Sequence, residues 1–172
     1  QKFNKDFNCK DFFPIPEPLI LKNISRVMSL RDGTKKMSKS EESDYSRINL
    51  KDSADEINKK IKKAKSDSEQ IPDNLKSLEK KPEALNLINI YSEISETTIE
   101  KVLNEMSGKE YSFLKTKLAD LLISEITPVG KEIKKLLVDR SHLEKILKKG
   151  KEKANFIAEE NIKNIREIVG LI

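Results

Sequence analysis

Apolar residues recur every three or four positions between Leu50 and Val169, and this spacing constrains the fold more than any other feature. It is the spacing of an α-helix that buries one face. The first such face consists of Ala54, Ile57, Ile61 and Ala64. Glycine, which weakens helices, occurs only five times in 172 residues. The sequence therefore predicts a mainly α protein, with a helical bundle from residue 49 to residue 172.

Several local signals predict where these helices begin and end. A long helix is expected from about Tyr111 towards Val138, with a kink at Pro128. Gly150 is expected to interrupt the last helix. Serine or threonine followed three residues later by glutamate indicates a capping box at a helix start. Three such pairs stand at predicted helix starts: Ser53 with Glu56, Thr97 with Glu100, and Ser141 with Glu144.

The first 48 residues follow a different pattern. Prolines at 14, 16 and 18 exclude a regular helix there, and the first residues are predicted to be extended. Val27–Leu30 is a candidate short strand, and Arg31–Thr34 has the composition of a turn. A polar stretch without periodicity follows from Lys35 to Tyr45. A domain boundary is therefore predicted near residues 47–51.

The composition excludes several classes of site. One cysteine cannot make a disulfide framework or a cysteine-based zinc site, and one histidine cannot make a multi-histidine metal centre. We predict no metal site, and we interpret His142 as an exposed first-turn residue rather than a catalyst. The sequence contains no apolar run long enough to span a bilayer and no signal peptide. We therefore expect a cytoplasmic protein with no membrane partner.

The most informative string is Lys36–Ser40, KMSKS, on the polar stretch. Two lysines separated by a methionine and a serine suit a mobile clamp on phosphates, because ammonium groups, hydroxyls and backbone N–H groups can all donate to one anion. Cations that close late on a leaving pyrophosphate stabilise the transition state more than the ground state. The alternative is a lysine-rich loop that is only solvated.

Lys36–Ser40 matches the signature loop of class I aminoacyl-tRNA synthetases letter for letter. The surrounding sequence resembles the tryptophanyl-tRNA synthetases in particular, in the same order along the chain. The resembling segments are Phe12–Pro18, Val27–Lys35, Ile61–Asp67, Pro82–Tyr91 and Gly150–Asn155. The resemblance covers essentially the whole chain and corresponds to the C-terminal half of a bacterial-type enzyme.

The resemblance implies two domains. Residues 1–48 would be the end of the Rossmann-type catalytic domain with the KMSKS loop, and residues 49–172 the α-helical anticodon-binding domain. Catalysis would fall to Lys36 and Lys39, which would contact the ATP phosphates and the departing pyrophosphate. Ser38 and Ser40 would help to hold the loop and the phosphates, and Met37 and Val27 would contact adenine.

The resemblance also implies substrates and partners. The parent enzyme would be a homodimeric tryptophan–tRNA ligase that activates L-tryptophan with ATP and Mg²⁺ and transfers it to tRNA(Trp). The second nucleotide motif of that family and its tryptophan pocket are not found in this sequence. We therefore expect a fragment that does not form the adenylate alone. A fragment of a tyrosyl-type synthetase and a stand-alone helical tRNA-binding module are the alternatives.

Two lysine-rich segments, 59–65 and 145–153, have two interpretations. They can be solvated helix faces that carry i,i+4 ion pairs, or they can contact tRNA phosphates. The residues alone favour the solvated face. The family resemblance makes the two interpretations about equal, because it places the anticodon stem on the helical domain, and no anticodon-reading residue is assigned.

Overall fold

The computed structural model of the chain describes residues 1–20 and 25–171, and these residues are mainly helical. Over those two ranges it contains no β-strand, and the extended pairing is a single antiparallel bridge between Met28 and Lys36. A 3₁₀ turn covers Asp44–Ser46. The α-helices are α1 (Lys2–Asp6), α2 (Ala54–Lys63), α3 (Leu75–Leu78), α4 (Pro82–Ile94), α5 (Ile99–Met106), α6 (Tyr111–Val138) and α7 (Arg140–Ile168).

Within this range the chain divides into two compact units. One comprises residues 25–135, and the other comprises residues 1–20 together with 136–171. This division differs from the boundary near residues 47–51, so domains of 1–48 and 49–172 stay a prediction. That prediction also includes residues 21–24 and 172, which lie outside the described residues.

The unit of residues 25–135 has a continuous apolar core. Its buried side chains come from α2, α4, α5 and the first part of α6, at the spacing that the sequence predicts. They include Ile57, Ile61, Leu87, Ile88, Val102, Met106, Leu114 and Leu118. Leu30 belongs to the same core, so the segment before Lys36–Ser40 is packed against the helices rather than held apart from them.

The other unit contains an aromatic cluster and the helix α7. Phe3 lies within 6 Å, between ring centroids, of three other phenylalanines, at 4.8, 5.9 and 5.1 Å. The Asn4 side-chain amide holds the chain after α1 against that helix. It donates to the Phe13 carbonyl oxygen (2.9 Å) and accepts from the Phe13 N–H (3.1 Å). Helix α7 has no buried residue in this structure, and Phe156 on it is 77% exposed.

Several predicted boundaries are confirmed. Ser53 and Glu56 form a complete capping box at the start of α2, in which the Glu56 carboxylate accepts from the Ser53 N–H at 2.7 Å. Helix α6 has the predicted bounds and continues through Pro128. None of the described helices is long and apolar enough to cross a membrane.

Other local predictions are wrong. The first residues are not extended, because Lys2–Asp6 forms a helix stabilised by the phenylalanine cluster. Val27–Leu30 is not a strand and makes one bridge only. Gly150 does not interrupt α7. Two helix starts also differ by one or two residues. The cap of α5 is Thr98, which accepts from Lys101 N–H, and the cap of α7 is Asp139, which accepts from His142 N–H.

Candidate functional site

A short hairpin, residues 27–37, leads into the signature loop, Lys36–Ser40. Two backbone hydrogen bonds close it, from Ser29 N–H to the Lys35 carbonyl (2.8 Å) and from Met37 N–H to the Val27 carbonyl (3.0 Å). The turn between them is stabilised by the Asp32 carboxylate, which accepts from the Thr34 hydroxyl (2.6 Å) and the Thr34 N–H (3.1 Å). These hydrogen bonds from Thr34 hold the pKa of Asp32 below its ordinary value of 3.8.

A buried asparagine attaches this hairpin to α4. The Asn86 side chain, 4% exposed, accepts from Met28 N–H (3.0 Å) and donates to the Met28 carbonyl oxygen (2.8 Å). One amide therefore satisfies both backbone groups of Met28, as a neighbouring strand would. The hairpin needs no sheet partner at this point, because Asn86 occupies the position of one.

The turn of the hairpin also packs tightly on the start of α4. A Cβ at Gly33 would lie 2.5 Å from the Pro82 carbonyl carbon and 2.5 Å from the Glu83 backbone nitrogen. The Glu83 carboxylate in turn accepts from the Lys65 ammonium at 2.7 Å. The hairpin therefore has a fixed position against the helical core.

Lys36 and Lys39 are exposed at the end of this hairpin. Among the residues that the structure describes, neither is engaged in an ion pair. Ser40 N–H donates to the Ser38 hydroxyl at 3.2 Å, which forms a tight turn around Lys39. The result is two solvated ammonium groups on a loop whose stem is rigid.

Val27 and Met37 lie side by side, because the hydrogen bond from Met37 N–H to the Val27 carbonyl joins them. Both line an apolar cavity of about 230 Å³ in the unit of residues 25–135. Its other lining residues include Leu30, Ile48 and Ile90. The structure therefore brings together the two predicted adenine-contacting residues, and their role stays a prediction.

The residues after the loop belong to a cluster of ion-paired side chains that the sequence analysis did not predict. The anchor cluster, defined as Asp44, Arg47, Asp52 and Lys60, connects the chain after the loop to α2. Lys60 donates to Asp52 at 2.6 Å and also pairs with Asp44. Arg47 pairs with Asp44 at 2.9 Å.

The charges of this cluster are matched. Burial by itself would lower the pKa of the Lys60 ammonium, but hydrogen bonds to Asp44 and Asp52 outweigh it and raise that pKa above its ordinary value. Hydrogen bonds from Lys60 and Asn49 lower the pKa of Asp44. Lys60 and Asp44 are therefore both charged at neutral pH.

Lys60 changes the interpretation of the lysine-rich segment 59–65. It is 4% exposed and cannot reach a tRNA phosphate. The helical wheel contained the signal for this, because residue 60 lies between Ile57 and Ala64 on the apolar face of α2. Lys65 is paired with Glu83, and Lys63 lies 4.5 Å above the Tyr45 ring. Lys59 and Lys62 remain as exposed cations on α2.

The other candidate residues have simpler surroundings. His142 is an exposed residue in the first turn of α7, as predicted, and its backbone N–H donates to Asp139. Over residues 1–20 and 25–171, no group of three or more histidine, cysteine or acidic side chains could hold a metal ion.

Comparison with known proteins identifies the family. The model of the tRNA synthetases class I (W and Y) matches residues 1–126. The chain is 45% identical to the tryptophan–tRNA ligase of Brucella melitensis over 99% of its own length and 53% of that ligase. It is 46% identical to the ligase of Caulobacter vibrioides over 99% of its own length and 49% of that protein.

Solved structures agree with this. The crystal structure of tryptophanyl-tRNA synthetase from Mycoplasma pneumoniae matches with a TM-score of 0.77 at 26% identity, over 99% of this chain and 52% of that one. The enzyme from Campylobacter jejuni, complexed with ADP and tryptophan, matches with a TM-score of 0.64 at 25% identity, over 98% of this chain and 50% of that one. The chain thus spans about half the length of the curated relatives it matches. Because the family model matches residues 1–126, the chain belongs to the class I tRNA synthetases of the tryptophan and tyrosine group.

Proposed function

We propose that the chain is part of a tryptophan–tRNA ligase, which activates L-tryptophan with ATP and transfers it to tRNA(Trp). In this proposal residues 1–48 complete the Rossmann-type catalytic domain, and residues 49–172 form the anticodon-binding domain. The observation that carries the proposal is the Lys36–Ser40 loop, whose two solvated lysines stand on a stem fixed to the helical core. The names of the similar proteins support tryptophan as the amino acid.

The loop has a defined chemical task in this reaction. A carboxylate oxygen of tryptophan forms a bond to the α-phosphorus of ATP, the bond from that phosphorus to the bridging oxygen breaks, and pyrophosphate leaves with Mg²⁺ as part of the substrate complex. Negative charge grows on the pyrophosphate as it leaves. Lys36 and Lys39 would neutralise that charge, with Ser38 and Ser40 donating from the same loop. Val27 and Met37 would contact the adenine ring.

Tryptophan-dependent exchange of pyrophosphate into ATP tests the function. A synthetase that contains this chain is expected to catalyse the exchange with tryptophan and not with tyrosine. Exchange with tyrosine instead would favour the tyrosyl-type alternative, which the family model also includes. The 172-residue chain alone is expected to be inactive, and turnover by it would contradict the proposal that it holds only part of the active site.

The proposal includes tRNA as a partner, together with a homodimeric and cytoplasmic parent enzyme. Lys59 and Lys62 are one turn apart on the exposed side of α2, so both can face one phosphate backbone. Replacing both by glutamate is expected to weaken tRNA binding by about tenfold and to reduce the slope of log affinity against log salt by about 2. Titration of tRNA with the chain at several salt concentrations measures both quantities.

A matched control separates this contact from net charge. Lys76→Glu with Lys80→Glu makes the same change in charge at exposed positions in and just after α3. The control is expected to reduce affinity by less than about twofold. Equal weakening by both pairs would show a net-charge effect, and unchanged affinity in Lys59→Glu with Lys62→Glu would exclude α2 from the interface.

A further inference from the structure

The chain that leaves the signature loop is held by side-chain charges. Glu41 directly follows the loop, and its carbonyl oxygen accepts from the Arg47 guanidinium at 2.9 Å. Arg47 is itself oriented, because a second guanidinium nitrogen pairs with Asp44 at 2.9 Å and its Nε donates to Asn49 at 3.3 Å. The position of Glu41 therefore depends on where Asp44 holds Arg47.

Asp44 is in turn held by α2. Its second carboxylate oxygen pairs with the Lys60 ammonium, and the Asn49 amide donates to its first at 3.0 Å. The side chain of Asp44 is 53% exposed, whereas that of Lys60 is 5% exposed. One end of this pair is thus in solvent near the loop and the other is inside the core.

Lys60 is held in place both by the packing around it and by its ion pairs. It projects from a helix whose neighbouring side chains, Ile57 and Ile61, are fully buried. A buried ammonium is retained only when it is paired, and the 8% exposed Asp52 pairs with it at 2.6 Å. Asp52 is held by the Asn49 N–H at 2.8 Å. The ammonium therefore cannot move without disrupting this buried pair.

We propose that Lys60 is a positioning residue, which sets the place of the Lys36–Ser40 loop through Asp44 and Arg47. This inference rests on the proposed function. The loop is then held at both ends, by Asn86 before it and by Lys60 after it. Since Lys36 and Lys39 act on charge that appears in the transition state, an error in their position lowers kcat more than it weakens tryptophan binding.

Asp44→Asn is the decisive variant, because it removes the charge at the exposed end and leaves the buried Lys60–Asp52 pair intact. In a synthetase that contains this chain, it is expected to lower kcat for pyrophosphate exchange by about tenfold. The KM for tryptophan should stay within about twofold, and the melting temperature within about 3 °C. Lys60→Met should lower kcat similarly but also lower the melting temperature, since it leaves Asp52 buried without its cation.

A double-mutant cycle provides the readout that a merely structural role would not affect. In a Lys36→Ala, Lys39→Ala background the loop has no cations to position, so Asp44→Asn should cause no further loss of kcat. Asp67→Asn is the control, because it removes an ion pair with Lys81 (3.0 Å) in the same unit without touching the loop. The control is expected to exchange at the wild-type rate.

Two results would overturn the inference: an Asp44→Asn variant with wild-type kcat, or a tenfold loss that persists in the background without the two lysines. Both are distinct from failure of the proposed function, which would show as absence of tryptophan-dependent exchange in the wild-type protein.

Discussion

Lys36→Ala and Lys39→Ala are each expected to slow tryptophan activation about 100-fold in a ligase that contains this chain. Both ammonium groups are exposed and, in the described part of the chain, free of ion pairs, so they are available to the pyrophosphate. The proposed role places them on charge that develops as the bond to the α-phosphorus breaks, so the loss should appear in kcat. The KM for tryptophan should change by less than about threefold. Single-turnover measurement of adenylate formation separates the two.

Lys35→Ala is the matched control for this pair. Lys35 is also an exposed lysine of the same polar stretch, but its ammonium lies 3.4 Å from the Asp32 carboxylate and belongs to the turn. The control variant is expected to retain activity within about threefold. If Lys36→Ala weakened tryptophan binding as much as it slowed activation, the lysine would bind ground state and transition state alike, and a transition-state role would be wrong.

The helices and the loop motif could be predicted because their signals are local. The capping box of Ser53 and the extent of α6 follow from residues within a few positions of one another. Where two cap residues compete, local signals fail. Asp139 caps α7 in place of Ser141 because its carboxylate, which carries a full charge, accepts from the His142 N–H at 3.0 Å.

The residues that hold the candidate site could not be predicted, because their partners are distant in sequence. Asn86 contacts Met28 across 58 positions, and no periodicity reports such a pair. The burial of Lys60 follows from its place on the apolar face of α2, but its ion pair with Asp44 does not. The residues proposed to act on substrate stand out as a motif, whereas those proposed to position them do not.

Gly33→Ala is expected to lower the free energy of unfolding by about 3 kcal/mol, which is at the upper end for overpacking. The backbone angles of Gly33 are not in the left-handed region, so space rather than conformation excludes a side chain. The new Cβ would meet the Pro82 carbonyl carbon and the Glu83 nitrogen at 2.5 Å. These are backbone atoms of the first turn of α4 and cannot rotate away. Denaturant titration followed by circular dichroism measures the loss.

The same substitution at Gly150 provides the contrast. A Cβ there meets no atom within 4 Å, and the residue lies inside α7, so Gly150→Ala is expected to stabilise the protein by about 0.5–1 kcal/mol. A Gly33→Ala variant as stable as wild type would show that the hairpin can lift away from α4. In that case the hairpin would not be a rigid stem, and the contacts of Asn86 with Met28 could not hold Lys36 in place.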